Sequence, residues 1–309
     1  MKKIIPILIC FILVSGLFGE SATTILPLLF YQTNNLDGLK SSFYGGGLVL
    51  NHLKDKEDAS IEPEGFSSQF TYIMDNQKEN SVWEQNKNTL NQIFFQGVYK
   101  TGNHQGILIA QDNSDKPFSS KYGTTLAAAY GYQLCDNQKW SCYVGGGLFM
   151  APVQIGTLTL PVIPLPIVRA AYKSEQVYAA FDFLGSPSLN CLFFTQNHFR
   201  VAVNLQCNGL SSVRDISGQI ALKYYFFPEH DILQVLNLQL GVENTVMSYG
   251  LKDDRTYRSQ NWGAFAAFDA GVLKIFAGYS FDGQQKINDI IEKHTGEGWY
   301  FSTQVMFVF

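Results

Sequence analysis

Apolar and polar residues alternate along much of this chain, and that period constrains the fold more than any other feature. From Phe199 to Cys207 one face reads Phe199, Val201, Val203 and Leu205, and the other Arg200, Ala202, Asn204 and Gln206. Ile216 to Phe226 repeats the scheme, setting Ile220, Leu222 and Tyr224 against Gln219, Ala221 and Lys223. Leu236 to Val246 sets Leu236, Leu238, Leu240 and Val242 against Asn237, Gln239, Gly241 and Glu243. Leu273 to Asp282 carries Lys274, Ser280 and Asp282 on its polar side. A period of two belongs to a strand with one apolar and one polar face, whereas an amphipathic helix needs 3.6. The chain is expected to be all-β.

Composition narrows the class. Charged residues make up only 16%, against about 25% in ordinary soluble domains. Hydrophobic content of 46% excludes intrinsic disorder. No apolar run of about 18 residues occurs beyond the N-terminus, which excludes a helical membrane protein. The 309 residues fit one β-barrel domain. A net charge of −4 argues against nucleic acid as a partner.

Lys2 and Lys3 precede an apolar run from Ile4 to about Phe18, followed by small residues at Gly19, Ser21 and Ala22. This is the plan of a secretory signal peptide, expected over 1–20 with its boundary between 16 and 22. Residues 21–309 then form the exported domain. Its four cysteines, Cys135, Cys142, Cys191 and Cys207, are disulfide candidates in an oxidising compartment. The spacing favours Cys135 with Cys142 across a polar loop, and Cys191 with Cys207 across a hairpin turning near Asn197.

A soluble sandwich alternates too, but three features favour a transmembrane antiparallel barrel. The strand-like runs are about ten residues long, the length a tilted strand needs to cross a bilayer. Aromatics gather at strand ends, as in Tyr224-Tyr225-Phe226-Phe227 and Trp299-Tyr300-Phe301. Connections counted back from the C-terminus alternate, with 283–297 and 247–261 long and those near Gly271 and Pro228 short. Strand-like runs begin near Phe43, Gln69, Asn91, Gly106, Gly123, Ser141, Ile167, Val177, Phe199, Ile216, Leu236, Trp262, Leu273 and Trp299, giving twelve to fourteen strands. Thr23 to Gln32 is an extra strand or a segment tucked into the lumen, and 52–67 and 76–90 read as long loops.

The last run carries a resemblance. Trp299, Phe301, Val305, Phe307 and Phe309 share one face of the final strand. This resembles the C-terminal assembly signal of bacterial outer-membrane β-barrel proteins. The resemblance implies a porin-like protein in the bacterial outer membrane, with outer-membrane lipid and the barrel assembly machinery as partners.

Two passages break the pattern. Gly45-Gly46-Gly47 and Gly145-Gly146-Gly147 weaken a strand and mark sharp curvature, or room for an inward-folded segment or ligand. Residues 151–168 carry no charge before Arg169 and four prolines, which forbid a spanning helix. They read as an apolar loop at the interface or inside the barrel.

Chemical signatures are sparse. There is no Gly-x-Ser-x-Gly elbow, no His-Glu-x-x-His and no phosphate loop, and the five histidines lack ligand spacing. No cofactor or metal is implied. Asp253, Asp254 and His294 fall in adjacent expected loops and form the weak hydrolase alternative. The inward faces would carry Lys100, Asp182, Arg200, Lys223, Glu243, Asp269, Lys274 and Asp282. Both signs are present, so no strong charge selectivity follows. The leading expectation is a narrow diffusion channel for small solutes. A hydrophobic-molecule transporter, an outer-membrane hydrolase and a non-conducting adhesin or scaffold are the alternatives.

Overall fold

The computed structural model describes residues 22–54, 64–80, 88–118, 123–150, 153–155, 158–160, 162–184, 186–207, 216–229, 235–251, 255–288 and 290–306. Nineteen strands occur among them. The first seven are β1 (Ala22–Leu36), β2 (Leu39–Lys54), β3 (Glu64–Asn80), β4 (Asn88–Thr101), β5 (His104–Ser114), β6 (Thr124–Asp136) and β7 (Trp140–Met150). A small hairpin, β8 (Val153–Ile155) and β9 (Leu158–Leu160), leads to β10 (Ile163–Lys173), β11 (Val177–Leu184), β12 (Pro187–Phe193) and β13 (Phe199–Cys207). The rest are β14 (Ile216–Tyr225), β15 (Asn237–Gly250), β16 (Thr256–Asp269), β17 (Leu273–Ile287), β18 (Ile290–Thr295) and β19 (Gly298–Met306).

Each strand pairs antiparallel with its sequence neighbour, β7 with β10 across the small hairpin, and β19 with β1 from Leu28↔Met306 to Leu36↔Gly298. That last pairing closes the sheet into a barrel and removes its edges. Sixteen strands make the ring, since β18 and β19 share the edge of β17 at different heights. The expected barrel is present, with two strands more than expected. They are β1, formerly an open choice, and the seven-residue β12.

Tight turns hold the register. Asp37-Gly38 joins β1 to β2, with Gly38 at φ 75°, where a side chain would be strained. Asn137 Oδ1 accepts from the backbone N–H groups of Lys139 and Trp140, both at 2.9 Å, and fixes the β6–β7 turn. Inward-facing Gly45 and Gly145 mark corners. A Cβ on Gly45 would collide with the Tyr72 carbonyl, and one on Gly145 with the Tyr130 carbonyl. The glycine triplets therefore bend the wall. The inner half of 151–168 is not a loop but β10, in which Pro164 and Pro166 face outward while Ile163, Leu165 and Ile167 face in.

Side chains sort cleanly by face. Leu108, Leu126, Leu148, Val168, Ile220, Leu222, Leu240 and Val242 are exposed on the outside. Aromatic belts bound this surface. At the proximal end, where β1 starts and β19 ends, Trp140 packs on Tyr172 at 4.7 Å and Phe199 on Tyr224 at 4.9 Å. Toward the distal end, Tyr279 meets Trp299 edge-on at 5.0 Å and Trp262 is exposed. Beyond Trp262 the outward positions turn polar, as in Ser248, Arg258, Gln260, Gln284 and Lys286. The expected long loops 247–261 and 283–297 are thus largely strand. Ladders run to Gly250↔Thr256 and Ile287↔Ile290, extending the β15–β18 wall past the aromatic belt.

Candidate functional site

Strand parity assigns the lumen. Lys100, Asp182, Arg200, Lys223, Glu243, Asp269 and Lys274 all occupy inward positions of the ladders. Asp282 does not. β17 has one extra residue opposite the Trp262/Gly263 step, so Phe281 and Asp282 are both exposed and Asp282 pairs with outward Trp262. A bulge re-aims side chains in this way, and strict alternation carried across it put Asp282 on the wrong face.

The proximal lumen carries the charge. Arg200 lies directly opposite Lys223, and Asp269 directly opposite Lys274. The Arg200 guanidinium sits 3.9 Å from the centre of the Tyr225 ring, a cation–π contact that holds it against the wall. Asp269 Oδ1 accepts from the Gly271 backbone N–H at 2.9 Å, which ties it to the β16–β17 turn. Two ion pairs stand on the far wall. Lys100 Nζ is 3.3 Å from Asp136 and 5.4 Å from the centre of the Tyr143 ring. Arg169 Nε lies 3.0 Å from Asp182 Oδ1, an ion pair across the β10–β11 ladder.

Aromatic rings fill one wall above this charge. Phe265 stacks on Phe276 with ring centres 4.7 Å apart, and Phe276 meets Tyr300 at 5.7 Å. Gly278 makes room for the Tyr300 ring, which a Cβ there would strike. Such pairs add about 0.5–1.5 kcal/mol beyond their burial.

At the distal end the extended β15–β16 hairpin crosses the lumen to the opposite wall. Gln92 Nε2 of β4 donates to the Tyr249 hydroxyl, which in turn donates to Asp75 Oδ2 of β3 at 3.4 Å. Gly250 pairs in parallel with Ser114 of β5, and its carbonyl accepts from the Asp115 N–H. Leu90, Tyr249, Leu251 and Tyr257 are buried together beneath this arch, with Met247 and Ile287 against them. Burying each such side chain contributes about 1.5–3 kcal/mol, so the arch is a packed element. Below it lies a chamber of about 220 Å³ between β15–β17, β19 and β1–β3.

The remaining sequence-derived residues sort as follows. Cys135 lies directly opposite Cys142, on the outer face near the β6–β7 turn. Cys191 instead pairs with Val203, and Cys207 with Ile216, so the expected bond between them has no geometry. All four cysteines are free thiols here. Trp299 and Phe301 are exposed on the outer face with Val305 at the same parity, while Phe307 and Phe309 lie outside the described residues. The signal-peptide segment and Asp253 and Asp254 also lie outside them, and His294 is an exposed residue of β18. Asp75, Asp136, Arg169 and Tyr249 were missed. Gln69, Thr71, Ile73, Asp75 and Gln77 share one parity, a signal that carries β3 past residue 76.

Compared with protein-family models and with curated proteins, the chain matches none. Among solved structures it is similar to Pseudomonas aeruginosa OccK7 (OpdD), at 8% identity and TM-score 0.42, over 94% of this chain and 100% of that one. Acinetobacter baumannii OccAB3 is 9% identical with TM-score 0.36, over 94% and 100%. Pseudomonas aeruginosa OpdQ is 10% identical with TM-score 0.35, over 94% and 99%. Likeness at this level carries no inference about what the chain does.

Proposed function

We propose that this chain is a bacterial outer-membrane channel for small solutes, narrowed at its distal mouth by the β15–β16 arch. The carrying observation is a closed sixteen-strand ring with an apolar, aromatic-belted exterior and a polar, charged interior. A water-filled lumen accounts for the ionised groups facing it, which would otherwise need full pairing. Outer-membrane lipid and the barrel assembly machinery are the partners such a role needs. The reading gives the chain transport and no catalytic step.

Arg200, Lys223 and Lys274 outnumber Asp269 in the proximal cluster, so that stretch favours anions mildly. Single-channel recording of the refolded barrel in a planar bilayer tests the role. Discrete steps that scale with salt are expected, and a folded barrel that never conducts removes the reading.

A further inference from the structure

The chamber under the arch has an uneven distribution of charge. Its charged lining groups are Asp75 at one end and Glu243 with Lys274 at the other. The Lys274 ammonium acts on the Glu243 carboxylate as a counter-charge. Asp75 is different. It is 1% exposed, and only one of its oxygens is engaged: Oδ2 accepts from Gln77 Nε2 at 2.9 Å and from the Tyr249 hydroxyl at 3.4 Å. Oδ1 is buried with no hydrogen-bond partner among the described residues. Both donors are neutral, and among the described residues no cation is paired with this carboxylate.

A buried carboxylate oxygen without a donor costs free energy, and a cationic donor that reaches it repays most. The rest of the chamber suits an apolar body. Phe43, Phe276 and Tyr300 contribute ring surface, and Phe43 lies directly opposite Asp75 on the β2–β3 ladder. At about 220 Å³ the space is smaller than the ~300–1,000 Å³ pockets that hold drug-sized ligands. We propose that this chamber is a binding site for a small primary amine with an aromatic or compact apolar body, its ammonium group donating to the Asp75 carboxylate. The ring faces would attract the same cation and strengthen the preference. The site goes beyond the channel reading, because it does not require that the barrel conduct.

Three probes of one shape test it: 2-phenylethylamine, 2-phenylethanol and phenylacetate, titrated calorimetrically into the detergent-folded full chain. The amine is expected to bind, and the alcohol and the carboxylate to bind at least about tenfold more weakly, the worth of one charge-assisted hydrogen bond. Asp75→Asn is expected to weaken the amine about ten- to a hundredfold, while Asp282→Asn, on the exterior, leaves it unchanged. If Asp75→Asn fails to fold, seen as loss of heat-modifiable migration, the three-probe comparison on the unaltered barrel decides alone. Equal binding of the three probes, no binding of the amine, or an unaffected Asp75→Asn variant overturns the site. Amine binding by a barrel that never conducts would leave the chamber standing and remove only the channel.

Discussion

Gly145 and Gly146 are neighbours in sequence with opposite surroundings. A Cβ on Gly145 would collide with the Tyr130 carbonyl, whereas one on Gly146 meets nothing nearer than the Leu165 carbonyl at 3.9 Å. Gly145→Val should therefore destabilise the folded barrel by at least about 1–3 kcal/mol, the usual cost of overpacking. Gly146→Val should fold normally. Denaturant midpoints followed by heat-modifiable migration check the pair, and equal midpoints would refute the corner. Tyr249 is the other residue on which much depends, because its hydroxyl and ring together tie the arch to β3 and β4. Tyr249→Ala should free the arch and raise single-channel conductance, whereas Tyr249→Phe keeps the ring and should change it less. Conductance unaltered in both would show that the arch does not narrow the path.

Two hairpins carry cysteines, and the ladders separate them. Cys135 faces Cys142 across one rung, so mild oxidation of the folded barrel should join them, as peptide mapping without reductant would detect. No Cys191–Cys207 link should form within the same chain, and finding one would overturn the β12–β13 register. That second pairing was open to correction from sequence alone. A hairpin centred on Asn197 matches Cys191 with Val203, six residues to either side. Elsewhere, alternation located every strand it was strong enough to mark. β12 was lost because it has only seven residues and begins on Pro187. β1 was uncertain because Leu26-Pro-Leu-Leu-Phe30 is apolar on both faces. The first residues of β10, before Ile167, read as a loop because Pro164 and Pro166 suggest one, although both sit at outward positions of the ladder. The lumen was legible wherever alternation ran unbroken. It failed at Asp282, where one extra residue reverses the parity, and the arch was invisible because contact between β15 and β3 leaves no local pattern.

For the whole molecule, the same bulge divides charges that matter to passing ions from charges that do not. Asp269→Asn should shift the reversal potential in a salt gradient toward anions. Asp282→Asn, on the exterior, should leave it where it was. A comparable shift from Asp282→Asn would return that residue to the lumen. The walls of the barrel are also unequal. β2 and β3 have 16 and 17 residues, whereas β11, β12 and β13 have 8, 7 and 9. At ~3.3 Å per residue, β12 spans about 23 Å along its own length, and less along the membrane normal once tilted. The apolar band of such barrels is about 25 Å tall. Lipid beside β11–β13 must thin to match, or the cylinder must lean until its low side is covered. The barrel thus has one low flank, along which the membrane would dimple and short-chain lipid or another low-walled surface would settle.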